Sequence, residues 1–182
     1  MYAAMLTGSE GHVISRDLID KKTELIEENI ERLGLSNVTV QVHDAREFDE
    51  ELTGKADVVI ADLPCSGLGI MGRKNDIKYH VSMESVKELA QLQREILDTV
   101  CRYVKPGGTL VYSTCTIDSI ENDENAVWFA DTHDFSLCGI DDVVPEHGGE
   151  RGFVTLHQGI DECDGFFISK FRADSNNQIG QE

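Results

Sequence analysis

Two short segments of the 182-residue chain set a cysteine among residues suited to exposing it. Asp62, Leu63, Pro64, Cys65, Ser66, Gly67, Leu68 and Gly69 close one apolar run, and Ser113, Thr114, Cys115 and Thr116 close another fifty residues later. A cysteine thiolate is accessible near neutral pH and is intrinsically very nucleophilic. An acid such as Asp62 gives or takes the proton that formation and release of a covalent adduct require. The pairing points to nucleophilic, covalent catalysis. Taken singly, either cysteine reads equally well as a small buried residue, and an aspartate after a strand as an ordinary loop or cap residue.

The elements that must position these segments alternate between strand and helix. Residues 12–15 form a short apolar run ending at Arg16 and Asp17, followed by a helix with Leu25, Ile26, Ile30 and Leu33 at three- and four-residue spacing, which Gly34 stops. Val38, Val40 and Val42 alternate toward His43 and Asp44, and the nearly continuous apolar run 56–61 closes on Asp62. A loop with Gly67, Gly69 and Gly72 precedes a long helix over 83–104, with Leu89, Ile96, Leu97, Val100 and Val104 on one stripe. Lys105, Pro106, Gly107 and Gly108 should end that helix ahead of a strand over 109–113. Asp118 fits an N-cap, with Glu121 three residues on as its capping-box partner, for a helix through Ala130. A short run at 135–138, a turn-rich stretch through Gly152 and a strand at 165–171 follow, and the polar residues 173–182 read as a disordered tail. This order predicts one α/β domain over 1–172 with a mostly parallel sheet, in which ligands bind beyond the carboxyl ends of the strands. Asp17, Asp44, Asp62 and Cys115 all fall at such ends.

With 40% hydrophobic and 27% charged residues the chain has the composition of a globular protein, which excludes disorder throughout. No apolar run approaches a membrane span, and the first residues lack the pattern of a signal peptide, so a cytoplasmic location is expected. Five cysteines without a C-x-x-C pair argue against a disulfide framework and a structural zinc site, and no metal site is expected. The net charge of −18 opposes binding to a polyanion, yet residues 63–105 hold seven basic and five acidic side chains. Arg73, Lys74 and Lys78 head that segment. On charge alone they are a solvated loop as readily as a phosphate contact.

The two cysteine segments resemble the D-x-P-C-S-G-x-G and S-T-C-T motifs of the RNA cytosine-5 methyltransferases, and most closely the bacterial 16S ribosomal RNA enzymes of the RsmB (Sun/Fmu) type. Glu121 and Asn122 match the family's following E-N. Residues 73–79 resemble its R-x-x-D-I-K-W stretch with Tyr79 in place of Trp, and Gly165, Phe166 and Phe167 its G-F-F. The resemblance runs to about Arg172. It implies a Rossmann-like fold that uses S-adenosylmethionine to methylate C5 of a cytosine in RNA, an unpaired one in ribosomal RNA. C5 is a poor nucleophile until a thiolate adds to C6, and the adduct later needs a base to remove the C5 proton. By resemblance Cys115 is the nucleophile, Cys65 assists product release, and Asp62 contacts the ring or the cofactor. The residues alone leave the order of the cysteines open, because DNA cytosine-5 enzymes use a Pro-Cys nucleophile. Asp17 matches the family's ribose-binding acid and Asp44 its acid near the adenine, which leaves Arg73, Lys74 and Lys78 for RNA phosphates.

Family members carry a first strand and an A-P-G-G-K loop ahead of this point. Neither is found here, and residues 1–6 resemble the helix that follows that loop. The expectation is therefore a partial catalytic domain that begins inside the cofactor site, with an exposed sheet edge open to self-association. It is read as a fragment, with two competing readings: a chain completed by another polypeptide, or a non-catalytic remnant that binds RNA or a protein partner.

Overall fold

The computed structural model describes residues 1–140 and 149–175. They form two compact units, Met1–Phe48 and Asp49–Glu182. In the first, α1 (Tyr2–Thr7) precedes β1 (Val13–Asp17), α2 (Asp20–Leu33) and β2 (Val38–Val42). β1 and β2 pair in parallel from Val13 with Val38 to Asp17 with Val42, with α2 as the crossover that a parallel pair requires. Gly34 ends α2 in the left-handed conformation, at φ 64°, as the sequence indicates.

The second unit contains β3 (Ala56–Asp62), α3 (Ile77–His80), α4 (Met83–Val100), β4 (Val104–Thr114), α5 (Asp123–Thr132), β5 (Phe135–Leu137), β6 (Phe153–Leu156) and β7 (Phe166–Ala173). Its strand order is β3-β4-β7-β5, with β6 also paired to β7. β3 and β4 are parallel across the crossover helix α4. β7 runs antiparallel to β4, β5 and β6. This is the expected α/β methyltransferase architecture, with Asp62 and Ser113 as register partners at the carboxyl ends of the parallel pair. Leu97, Val104, Leu110, Tyr112, Phe129, Phe167 and Phe171 are fully buried. Phe129 meets Phe171 edge-on at 4.9 Å between ring centroids. Among the described residues β3 pairs only with β4, and Val58 and Ile60 are 55% and 61% exposed.

Three expectations need correction. α4 ends at Val100, and a short 3₁₀ turn over Cys101–Tyr103 leads directly into β4. Val104 pairs with Ala56, so the residues read as a helix stop, Lys105 to Gly108, are an irregularity within the strand, with Gly107 at φ 70°. α5 begins at Asp123 and not near Asp118. Asp118 Oδ1 accepts from the Ile120 N–H, and Glu121 is fully buried instead of capping a helix. β6 lies just beyond the turn-rich stretch, of which 141–148 lie outside the described residues. Ala173 is the last residue of β7, and 176–182 of the expected tail also lie outside them. No helix among the described residues is long and apolar enough to cross a membrane.

Candidate active site

β3 and β4 end side by side, and the chain leaves both strands at the residues singled out above. Asp62 Oδ1 accepts from the Ser113 hydroxyl at 3.0 Å, and the Leu63 N–H donates to the Ser113 carbonyl at 3.0 Å. Gly67, at φ 72°, turns the Pro64–Gly67 segment back, so that the Gly69 N–H reaches the Cys115 carbonyl at 3.0 Å. The result brings Cys65 Sγ to 3.2 Å from Cys115 Sγ. Ser66 Oγ and Thr116 Oγ1, at 2.8 Å, tie the two loops a second time. Cys65 and Cys115 thus form a pair, with Asp62 held by Ser113 at the adjoining strand ends.

Both sulfurs are half-buried. Burial, and secondarily the Cys115 sulfur beside it, pushes the Cys65 thiol up to about 12. Cys65 is therefore held as a thiol at neutral pH. Because the unfolded thiol ionises near 9 and the folded one near 12, this contribution to stability is present below pH 9 and is lost as pH rises between those values. Iodoacetamide should label the exposed Cys163 first and Cys65 slowly, with the Cys65 rate rising about tenfold per unit between pH 8 and 10. Peptide mapping of the labelled chain checks this, and a rate that levels off by pH 9 contradicts it.

The residues assigned to the cofactor by resemblance lie at the carboxyl ends of β1 and β2, in the first unit. Asp17 Oδ1 accepts from the Ile19 N–H at 2.9 Å, and Oδ2 lies 3.4 Å from Lys22 Nζ. A carboxylate has about four acceptor positions, so Asp17 retains capacity for hydroxyl donors such as those of a ribose. Asp44 differs. Oδ1 accepts from the Arg46 N–H and Nε, and Oδ2 from Nε and, at 2.6 Å, Nη2. This grip holds the Asp44 carboxyl down to about 2. Any further donor has to displace Arg46.

Arg73 and Lys74 are exposed on the loop after the 3₁₀ turn Leu68–Ile70, and Lys78 is exposed on α3. Arg73 Nε lies 2.9 Å from Asp164 Oδ2, and Lys78 Nζ lies 4.9 Å from the ring centroid of the exposed Tyr79. The segment ahead of β7 also supports the cysteine loop directly. The Gly165 N–H donates to the Gly69 carbonyl at 2.8 Å, and a Cβ on Gly69 would stand 2.1 Å from the Gly165 carbonyl oxygen.

Sequence reasoning missed Gln93, the buried polar residue beneath the cysteine loop. It occupies a core position of α4 between Ala90 and Leu97. Its Nε2 donates to the Pro64 carbonyl and to Glu121 Oε2, both at 2.9 Å, while Oε1 accepts from Asn125 Nδ2 and the Tyr112 hydroxyl. A glutamine interrupting an apolar stripe was the available signal. Burial also raises the Tyr112 hydroxyl well above its ordinary range, keeping it a donor.

The chain as a whole is similar to known proteins. The family model described as 16S rRNA methyltransferase RsmB/F matches residues 1–172. The ribosomal RNA small subunit methyltransferase F of Escherichia coli O7:K1 is 33% identical over 169 residues, which cover 90% of this chain and 35% of that protein. The chain thus spans about a third of the length of the curated relatives it matches. Among solved structures, NSun6 from Pyrococcus horikoshii with SFG superposes with a TM-score of 0.78 at 27% identity, covering 94% of this chain and 44% of that one. A methyltransferase homolog protein from the same organism gives 0.74 at 26% identity, covering 90% and 53%. The family match runs over residues 1–172, and the chain belongs to the 16S rRNA methyltransferase RsmB/F family.

Proposed function

We propose that this chain supplies the catalytic thiol pair of an S-adenosylmethionine-dependent methyltransferase that acts on C5 of a cytosine in 16S ribosomal RNA, in the cytoplasm. The observation that carries the reading is the 3.2 Å approach of Cys65 and Cys115, with Cys65 held as a thiol. Cys115 is taken as the nucleophile because its S-T-C-T segment matches the motif to which the family resemblance gives that role, a choice the residues alone leave open. Cys115 Sγ adds to C6 and raises the electron density at C5. Asp62, fixed by the Ser113 hydroxyl, presents its carboxyl to the N3 edge of the ring. Release requires loss of the C5 proton to a base and departure of the Cys115 sulfur as thiolate, and the Cys65 thiol lies beside that sulfur, placed to give it a proton. S-adenosylmethionine, when bound, supplies an electrophilic methyl group on its sulfonium. Asp17, with acceptor capacity remaining, is the residue that fits its ribose hydroxyls. Asp44 fits its adenine edge only with displacement of Arg46. Arg73, Lys74 and Lys78 are exposed for contact with RNA phosphates, Arg73 exchanging Asp164 for one. The neighbour solved with SFG, an analogue of S-adenosylmethionine, supports the choice of cofactor.

Incubation with methyl-labelled S-adenosylmethionine and 16S ribosomal RNA tests this reading. Label in 5-methylcytosine is expected, with Asp17→Ala weakening cofactor binding about tenfold by calorimetry, the scale of one hydrogen bond to a charged group. Label at another base position contradicts the cytosine assignment.

A further inference from the structure

We infer that the consecutive residues Glu121 and Asn122 are positioning residues that hold the two cysteines in register, Asn122 bracketing Cys115 from both sides and Glu121 bracketing Cys65 together with Gln93, to which it is bonded. The Ser66 N–H, just after Cys65, donates to Glu121 Oε2 at 3.0 Å. The Pro64 carbonyl, just before it, accepts from Gln93 Nε2, whose other N–H is bound to the same Oε2. Asn122 does the equivalent for Cys115. The Thr114 hydroxyl donates to Asn122 Oδ1 at 2.7 Å, and Asn122 Nδ2 donates to the Thr116 carbonyl at 3.0 Å.

Glu121, Asn122, Gln93, Thr114 and Thr116 are all fully buried, so these bonds are sheltered from water and costly to leave unmade. The dipeptide is itself fixed: the Asn122 N–H donates to the Asp118 carbonyl, and the Tyr112 hydroxyl shares its one proton between the Glu121 carbonyl and Gln93 Oε1. Neither cysteine loop moves relative to the other without disturbing two adjacent residues. A network that served stability alone would have no need to grip both flanks of both cysteines. Glu121 Oε1 has no hydrogen-bond partner among the described residues, so the bonds to the cysteine loop all fall on Oε2.

The inference takes the cysteines as the catalytic pair proposed above, but its test needs neither RNA nor cofactor, so the two stand or fall separately. Diamide takes up the two thiol hydrogens and joins nearby sulfurs as a disulfide, which makes the Cys65–Cys115 cross-linking rate a ruler for register. In the 182-residue chain, read by the mass of the joined peptides, Glu121→Ala and Asn122→Ala should slow the cross-link at least about tenfold while far-UV circular dichroism stays native. Glu121→Gln keeps an acceptor for the Ser66 N–H and should remain within about threefold of the unsubstituted chain. Wild-type rates in the folded alanine variants overturn the inference, as does a Glu121→Gln variant as slow as Glu121→Ala. Should the alanine variants lose their native spectrum, Asn122→Asp decides, because it keeps the acceptor for the Thr114 hydroxyl and replaces the donation to Thr116 with a carboxyl facing that carbonyl: a clear slowing in the folded variant supports the inference and an unchanged rate overturns it.

Discussion

Cys115→Ala is expected to abolish methyl transfer to RNA, with a loss of about 10⁴-fold or more, and to form no covalent RNA adduct. On the proposed mechanism the loss is large because a sulfur bond to C6 is what makes C5 reactive, and the neighbouring Cys65 is held as a thiol. Cys65→Ala should have a different signature. Its thiol is kept protonated by burial and by the neighbouring sulfur, so its removal spares the attack and impairs release. The variant should accumulate RNA bound to Cys115 that survives a denaturing gel. Accumulation in Cys115→Ala instead would exchange the two roles.

Gly69→Ala should disrupt both the fold and the site. The added Cβ would stand 2.1 Å from the Gly165 carbonyl oxygen and 2.8 Å from the Cys115 carbonyl oxygen, and both neighbours are backbone. Flexible side chains yield to such a contact, whereas strands and their adjoining loops do not. A destabilisation of about 3 kcal/mol is expected in urea unfolding, at the upper end of overpacking costs. The Gly69 N–H bond to Cys115 should weaken with it, so the cysteine cross-link should slow in whatever fraction remains folded. An alanine variant with wild-type stability and cross-linking rate would mean that the 68–70 turn is not packed as described.

The segments legible in the sequence are those in which one local rule acts without opposition. The alternating valines of β2, the continuous apolar run of β3 and Gly34 after α2 each fix their element locally. The placement of Asp62 and Cys115 at neighbouring strand ends follows from the parallel order of those elements. Where tertiary contacts compete with local signals, the sequence misleads. Lys105-Pro106-Gly107-Gly108 carries every mark of a terminator, yet the pairing of Val104 with Ala56 draws it into β4 as an irregularity. Asp118 and Glu121 have capping-box spacing, but Glu121 finds Ser66 and Gln93 in the interior, and the helix starts later. Gln93 breaks the apolar stripe of α4, but its role could not be read there because its partners come from three distant stretches: the cysteine loop, β4, and the chain around α5.

The most direct test of the central claim is a covalent one: incubate the chain with S-adenosylmethionine and 16S ribosomal RNA containing 5-fluorocytidine, then sequence the peptide that remains attached to RNA. Fluorine replaces the C5 proton that must leave, so a covalent intermediate cannot resolve. The account predicts a single adduct on the peptide bearing Cys115, lost in Cys115→Ala and retained in Cys65→Ala. RNA bound without any adduct, or an adduct on Cys65, would contradict it: the first makes this chain an RNA-binding domain without catalysis, and the second reverses the roles of the two thiols.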